Sequence, residues 1–177
     1  MENSVIYLEK LSKLILRFLQ ELSKEMKELG ITSSQLQGLT YISQHKECLI
    51  GDIANGLSIS YPAATKLADR LVRKGLALRK EGEIDRRSVK VSLTPRGEET
   101  LKEAIQRRRE KLSEITQHIE SEEMTELVKM LEEFLRAALQ DEDMIGDICL
   151  HCGSDHSRDC LVNKAYLGAT GAEIEKF

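Results

Sequence analysis

A mainly helical fold carrying one small two-stranded hairpin is the class this sequence predicts, on three observations. Proline is confined to Pro62 and Pro95 in 177 residues, and tryptophan is absent, which suits helices joined by short connections. Near both ends, apolar residues recur at intervals of three and four, the period of an amphipathic helix. Between Leu76 and Leu93 the pattern alternates on either side of a polar turn, as a hairpin does. Hydrophobic residues at 41% suffice for a packed core. The length fits one domain, or one domain with a small appendage.

Val5 to Leu29 reads as the first helix. Leu8, Leu11, Ile15, Phe18, Leu22, Met26 and Leu29 form its stripe, and Gly30 stops it. Thr32 or Ser33 caps a second helix to about Gln44, with Leu36, Leu39, Tyr41 and Ile42 as its apolar positions. A short third helix covers Leu49 to Leu57, and Ser58-Ile59 makes a tight turn. Ser60 then caps a fourth helix, with Pro62 in its first turn, where no backbone donor is lost. Leu67, Leu71 and Val72 bury that helix, and Gly75 ends it. Together the third and fourth helices have the shape of a helix-turn-helix.

Leu76 to Lys80 and Ser88 to Leu93 are the two strands of a wing, joined by the polar turn Glu81 to Arg87 with Gly82 inside it. Thr94-Pro95 starts a long fifth helix carrying Leu101, Ile105, Leu112, Ile115 and Ile119. Ser121 begins a sixth, striped by Met124, Leu127, Val128, Leu131, Leu135 and Leu139. The predicted class is therefore mainly α: a winged helix-turn-helix with long N- and C-terminal dimerisation helices. Residues 1–30 and 95–140 form the dimerisation region, 31–94 the DNA-binding unit, and 141–177 a cysteine-rich tail. The first, fifth and sixth helices carry more apolar surface than one small winged helix covers. That favours a two-fold homodimer over packing within one chain. A dimer sets two recognition helices about 34–36 Å apart, the spacing of successive major grooves.

The net charge of −4 argues against a nucleic-acid partner, but its distribution argues for one. Tyr61 to Arg96 holds ten cations and four anions, a local +6. From Asp141 onward, eight anions face three cations. Phosphate attraction follows the local field over a Debye length of about 8–10 Å. An ordinary solvated charged face is the plainer explanation of the same run.

Asp85-x-Arg87, followed by Val91-x-Leu93-Thr94-x-x-Gly97 and preceded by Leu71-x-x-Lys74-Gly75-Leu76, resembles the MarR family of winged-helix transcriptional regulators. The resemblance runs from about Val5 to Leu139. It implies a homodimer on a pseudo-palindromic double-stranded DNA operator, usually a repressor, often released by a small-molecule effector or an oxidant. The peroxide-sensing branch of that family uses a cysteine in its first helix, and this chain has none there.

The residue chemistry agrees with the resemblance. Ser60, Tyr61, Ala63, Ala64 and Thr65 occupy the part of the recognition helix that reaches base edges. Lys66 and Arg70 are placed to contact phosphate, as is Arg86 in the wing. Arg87 is the wing arginine expected in the minor groove, and Asp85 is expected to pair with an arginine and orient the wing. Ordinary surface charge would also explain Lys66, Arg70, Arg73 and Lys74, the last two suiting the helix C-terminus. Tyr7, Phe18, Tyr41 and His45 could line an effector pocket or belong to the core.

The tail carries Cys149, Cys152, His156 and Cys160 in the pattern Cys-x2-Cys-x3-His-x3-Cys. Three readings stand: a zinc-type site on these four residues, with His151 able to replace His156; an iron–sulfur cluster; or reduced thiols that pair only under oxidation. The short acidic surroundings are expected to build no core of their own, so that a metal would order them. A metal or redox centre there would make the tail a sensor. Cys48 reads as a small, half-buried hydrophobe.

No apolar run approaches the ~18 residues needed to cross a bilayer, and the N-terminus lacks a signal-peptide core. The expectation is a cytoplasmic protein without membrane contact. No nucleophile–base pair, phosphate loop or paired-carboxylate motif supports an enzyme. A winged helix serving only protein–protein interaction is the remaining alternative.

Overall fold

The winged helix-turn-helix expected from the sequence is the architecture observed. The computed structural model describes residues 2–24, 28–81, 89–141, 144–145, 148–149 and 159–171. Helix α1 spans Glu2–Lys24 and α2 spans Ser33–His45. Strand β1 is Cys48–Leu49, α3 is Ile50–Gly56 and α4 is Tyr61–Arg73. Strands β2 (Ala77–Glu81) and β3 (Val89–Leu93) form the wing. Helices α5 (Pro95–Thr116), α6 (Ser121–Ala138) and α7 (Leu161–Thr170) complete the chain.

Local chemistry explains the boundaries. Thr32 and Gln35 form a reciprocal capping box at the start of α2, satisfying two otherwise orphaned amides. Gly75 ends α4 in the left-handed region, φ 69°. Its amide donates to Val72 at 2.8 Å, and that of Leu76 donates to Leu71 at 2.9 Å, the paired bonds of a Schellman stop. The Thr94 hydroxyl accepts from the Gly97 amide at 3.0 Å and donates to the Gly75 carbonyl at 2.7 Å. One side chain therefore starts α5 and ties it to the end of α4.

The sheet has the order β1-β3-β2, antiparallel throughout. Ala77 pairs with Leu93 and Glu81 with Val89. Strand β1 departs from the sequence expectation. Cys48 and Leu49 add to the free edge of β3, opposite Val91 and Lys90, where the residue pattern predicts a helix beginning at Leu49. The main core lies under α2, α3 and α4, with Leu39, Ile42, Ile53, Leu71 and Val91 at 1% exposure or less.

One sequence expectation is corrected, and another is met. The tail does build a small core: Leu139 and Ile145 are buried, with Val162, Ala165 and Tyr166 of α7 packed on them. The stripe of α1 is not covered within this chain, since Leu8, Leu11, Ile15 and Phe18 are exposed and Leu22 is buried. Helix α6 contains no buried residue.

Gly97 lies where α5 meets the start of the wing. A Cβ there would stand 2.0 Å from the Leu76 carbonyl oxygen, which already accepts from the Thr94 amide. Gly97→Ala should destabilise the protein by about 2–3 kcal/mol, the upper range for forced overpacking. Gly51, in α3, has open space at the same position. Gly51→Ala should stabilise by roughly 0.5–1 kcal/mol through helix propensity. Urea unfolding of the two variants checks both signs.

Candidate nucleic-acid interface

Helix α4 is held by neighbours on three sides. On one side, α2 approaches so closely at Gly38 that a Cβ would sit 3.1 Å from Leu67. Before it, the turn from α3 closes with Ser58 donating to Asn55 at 3.0 Å and Ile59 to Ala54 at 2.9 Å. Ser58 takes a left-handed conformation there, φ 49°. Behind it, the Lys74 ammonium donates to the Gly30 carbonyl and to Gln35. Ala64, Leu67, Ala68 and Leu71 form its buried face.

That periodicity decides which of the predicted contact residues reach solvent. Ser60, Tyr61, Ala63, Lys66 and Arg70 are exposed, so the structure gathers them on the open side of α4. Ser60 occupies the N-cap position but makes no side-chain capping bond. Thr65 is half-buried, and its hydroxyl donates to the Tyr61 carbonyl at 3.0 Å. Ala64 is corrected: it is fully buried and offers nothing to a groove. Its place in the stripe 64, 67, 68, 71 is the signal that puts it inside.

Asp85, Arg86 and Arg87 lie outside the described residues. What the structure adds to the wing is Arg79 of β2, a residue with no role in the sequence analysis. Its guanidinium contacts Asp69 of α4 at 2.6 Å and donates to the Thr65 carbonyl at 3.3 Å. The wing strand is thus clamped to the recognition helix. An ion pair between a helix and a strand has no periodic signature, so nothing along the sequence points to it. Lys90 of β3 likewise pairs with Glu47 at 3.1 Å.

The tail residues divide. Cys149 and Cys160 are half-buried, with Cys149 packed on the Leu139–Ile145 core, while Cys152 and His156 lie outside the described residues. No group of three metal-ligating side chains forms among the described residues. Of the residues suited to an effector pocket, Tyr41 and His45 stack at 4.1 Å. Tyr41 is buried against Gly56, where a Cβ would strike its ring. Tyr7 and Phe18 stand exposed on α1. Cys48 is fully buried, its thiol facing the Val91 carbonyl. Burial, with Asp52 beside it, pushes its pKa up to about 12, so it is no thiolate at neutral pH.

Comparison with known proteins agrees with this geometry. The model of the MarR family matches residues 31–89. The HTH-type transcriptional repressor MdtR of Bacillus subtilis is 29% identical over 122 residues, covering 69% of this chain and 79% of the repressor. A solved MarR family protein from Bacillus stearothermophilus superposes with a TM-score of 0.69 at 25% identity, covering 78% of this chain and 97% of that one. The chain is similar to MarR-family proteins over most of its length. A mutant of E. coli MarR, solved in complex with operator DNA, superposes with a TM-score of 0.57 at 27% identity, covering 75% of this chain and 96% of that one. The named relatives are transcriptional regulators. The matched segment ends at Val89 and so contains α2, α3, α4, β2 and the predicted wing turn. Among the described residues, no helix of this chain is long and apolar enough to cross a membrane.

Tyr41 and Cys48 give the fold an alkaline limit. Burial pushes the Tyr41 phenol, too, up to about 12 from 10.0, helped by Cys48 and Asp52. The unfolded chain releases both protons earlier, so their contribution is complete below pH 9 and is lost as pH rises towards 12. Each group lowers stability by about 1.4 kcal/mol per pH unit across its window. Chemical unfolding between pH 8 and 11 should show the fall beginning near pH 9. In Cys48→Ala the onset should move to about pH 10, the value set by Tyr41.

Proposed function

We propose that this chain is a sequence-specific DNA-binding transcriptional repressor that acts as a homodimer. One observation carries the reading: α4 turns a hydroxyl- and cation-bearing face to solvent while its opposite face is locked in the core and its flank is clamped to the wing by Arg79. A helix so presented suits the major groove, with Ser60, Tyr61 and Ala63 towards base edges and Lys66 and Arg70 towards phosphates. Arg87 of the wing is assigned to the minor groove. The matched relative MdtR is named a repressor, which supports repression over activation.

The homodimer is supported by the uncovered faces of α1 and α6. Ile15, Leu16, Leu131 and Phe134 are each roughly half exposed, and burying such a side chain gains about 1.5–3 kcal/mol. Two long helices with open apolar faces at opposite ends of the chain suit a two-fold partner.

Selection from a random duplex library should return an inverted repeat whose half-sites lie about one helical turn apart. Affinity for it should fall steeply with salt, and Lys66→Ala or Arg70→Ala should each lower the log–log slope by about 1, as expected when one phosphate is no longer neutralised. Arg87→Ala should cost at least about 1 kcal/mol. Failure to enrich any duplex at low ionic strength would overturn the reading. The clamp has its own signature. Arg79→Ala and Asp69→Ala should weaken operator binding alike, and the double variant should be no worse than either. If Asp69→Ala alone leaves binding intact, Arg79 is not a positioning residue.

A further inference from the structure

We propose that Lys74 is a positioning residue for DNA binding: its ammonium fixes the tilt of α4 against the connection between α1 and α2 and makes no contact with DNA. The proposal rests on reading α4 as the recognition helix. Lys74 is the C-cap residue of α4, where a cation suits the helix dipole with no partner at all. Here the ammonium is committed. It donates to the Gly30 carbonyl, 44 positions earlier, and to Gln35 Oε1 at 3.0 Å. Gln35 is 4% exposed, one of two buried polar side chains among the described residues. Its Oε1 also accepts from the Thr32 amide at 3.0 Å. One oxygen of a buried side chain therefore joins the capping box of α2 to the end of α4. Bonds from an ammonium are stronger than neutral ones, and a low local dielectric strengthens them further.

The far side of the connection is held as well. Glu28 pairs with Arg107 of α5 at 2.9 Å, and Arg107 also meets Glu103 at 2.8 Å. Gly30 turns the chain in the left-handed region, φ 66°, and Ile31 is buried. The segment between α1 and α2 is thus fastened twice, to α5 at Glu28 and to α4 at Gly30. Glu28 is exposed, so its pair is screened by solvent, and Lys74 is the firmer fastening. A shift of α1 relative to α5 reaches α4 through Lys74.

Scale decides whether this matters to a ligand of α4. A helix of 13 residues is ~20 Å long. A tilt of about 5° pivoted at Lys74 moves Tyr61 by about 1.7 Å. Good hydrogen-bond lengths span only about 0.5 Å. Loss of the Lys74 bonds therefore costs base contacts at the opposite end of the helix.

The test compares variants on a duplex selected by the wild-type protein. Lys74→Met keeps the stem and removes the donors. It should bind at least fivefold more weakly, with the slope of log affinity against log salt unchanged. Loss of a phosphate contact would instead lower that slope by about 1. Gln35→Met, at a buried position, should weaken binding to the same degree, and the double variant should be no worse than either. Gln35→Glu, which again offers an acceptor to both donors, should recover the affinity. Without DNA, amide exchange at Thr32 should be at least fivefold faster in Lys74→Met. Helical content and the main unfolding transition check that each variant is folded. Wild-type protein that enriches no duplex overturns the DNA reading, and this proposal with it. Where wild type binds, Lys74→Met with wild-type affinity, or with a slope lowered by about 1, overturns this proposal alone.

Discussion

The backbone of Leu76 is the joint on which the outward-facing parts of this molecule depend. Its amide closes α4 by donating to Leu71, and its carbonyl accepts from the Thr94 amide just before α5. Gly97, one turn into α5, lies against that same carbonyl with no room for a side chain. The end of the recognition helix, the foot of the wing and the start of the long C-terminal helix thus meet at one peptide group. Their relative angles are set by short backbone contacts, which deform far less readily than side-chain packing. The motif positions Gly75, Leu76, Thr94 and Gly97 are the parts of that joint.

Charge in the basic segment is divided between two tasks. Lys74, Arg79 and Lys90 are engaged within the protein, holding α4 to the start of α2, the wing to α4, and β3 to the segment before β1. Lys66, Arg70 and Arg73 remain on the exposed side of α4. The local excess of cations counted along the sequence therefore includes charges already engaged within the protein, and it is not a uniform solvated face. The internal group fixes the surface on which the outer group stands. Exposed pairs of this kind contribute little stability, typically about 0–1 kcal/mol, so their value lies in geometry.

Where sequence and structure agree, local chemistry decides the outcome. Ser60, Pro62 and Gly75 bracket α4, and the observed helix runs from Tyr61 to Arg73. Thr94 and Pro95 do the same for the start of α5. Strand β1 is illegible in the sequence because two residues carry no period; they are a strand only because β3 offers a free edge beside them. Helix α7 is hidden for a related reason. Its apolar positions Val162, Ala165 and Tyr166 become a face only when Leu139 and Ile145 are there to receive them. Ala64 is legible but misleading: a small residue beside hydroxyls suggests base contact, although its stripe points inward. Arg79 is visible as a charge, but its partner lies on another element, ten positions away.

The same long-range dependence explains how the tail and the open helices coexist. Leu139, immediately after α6, is buried because Ile145 and α7 cover it. Upstream, Leu127, Leu131 and Leu135 remain exposed. The tail core therefore closes over the C-terminal end of α6 and stops there. Had α7 lain along the helix instead, it would have covered the stripe that remains exposed. Two apolar surfaces are thus separated in space: a small one consumed within the chain, and a longer one, on α6 with α1, open to a partner. A tail that folds over the end of α6 alone leaves the longer apolar face uncovered.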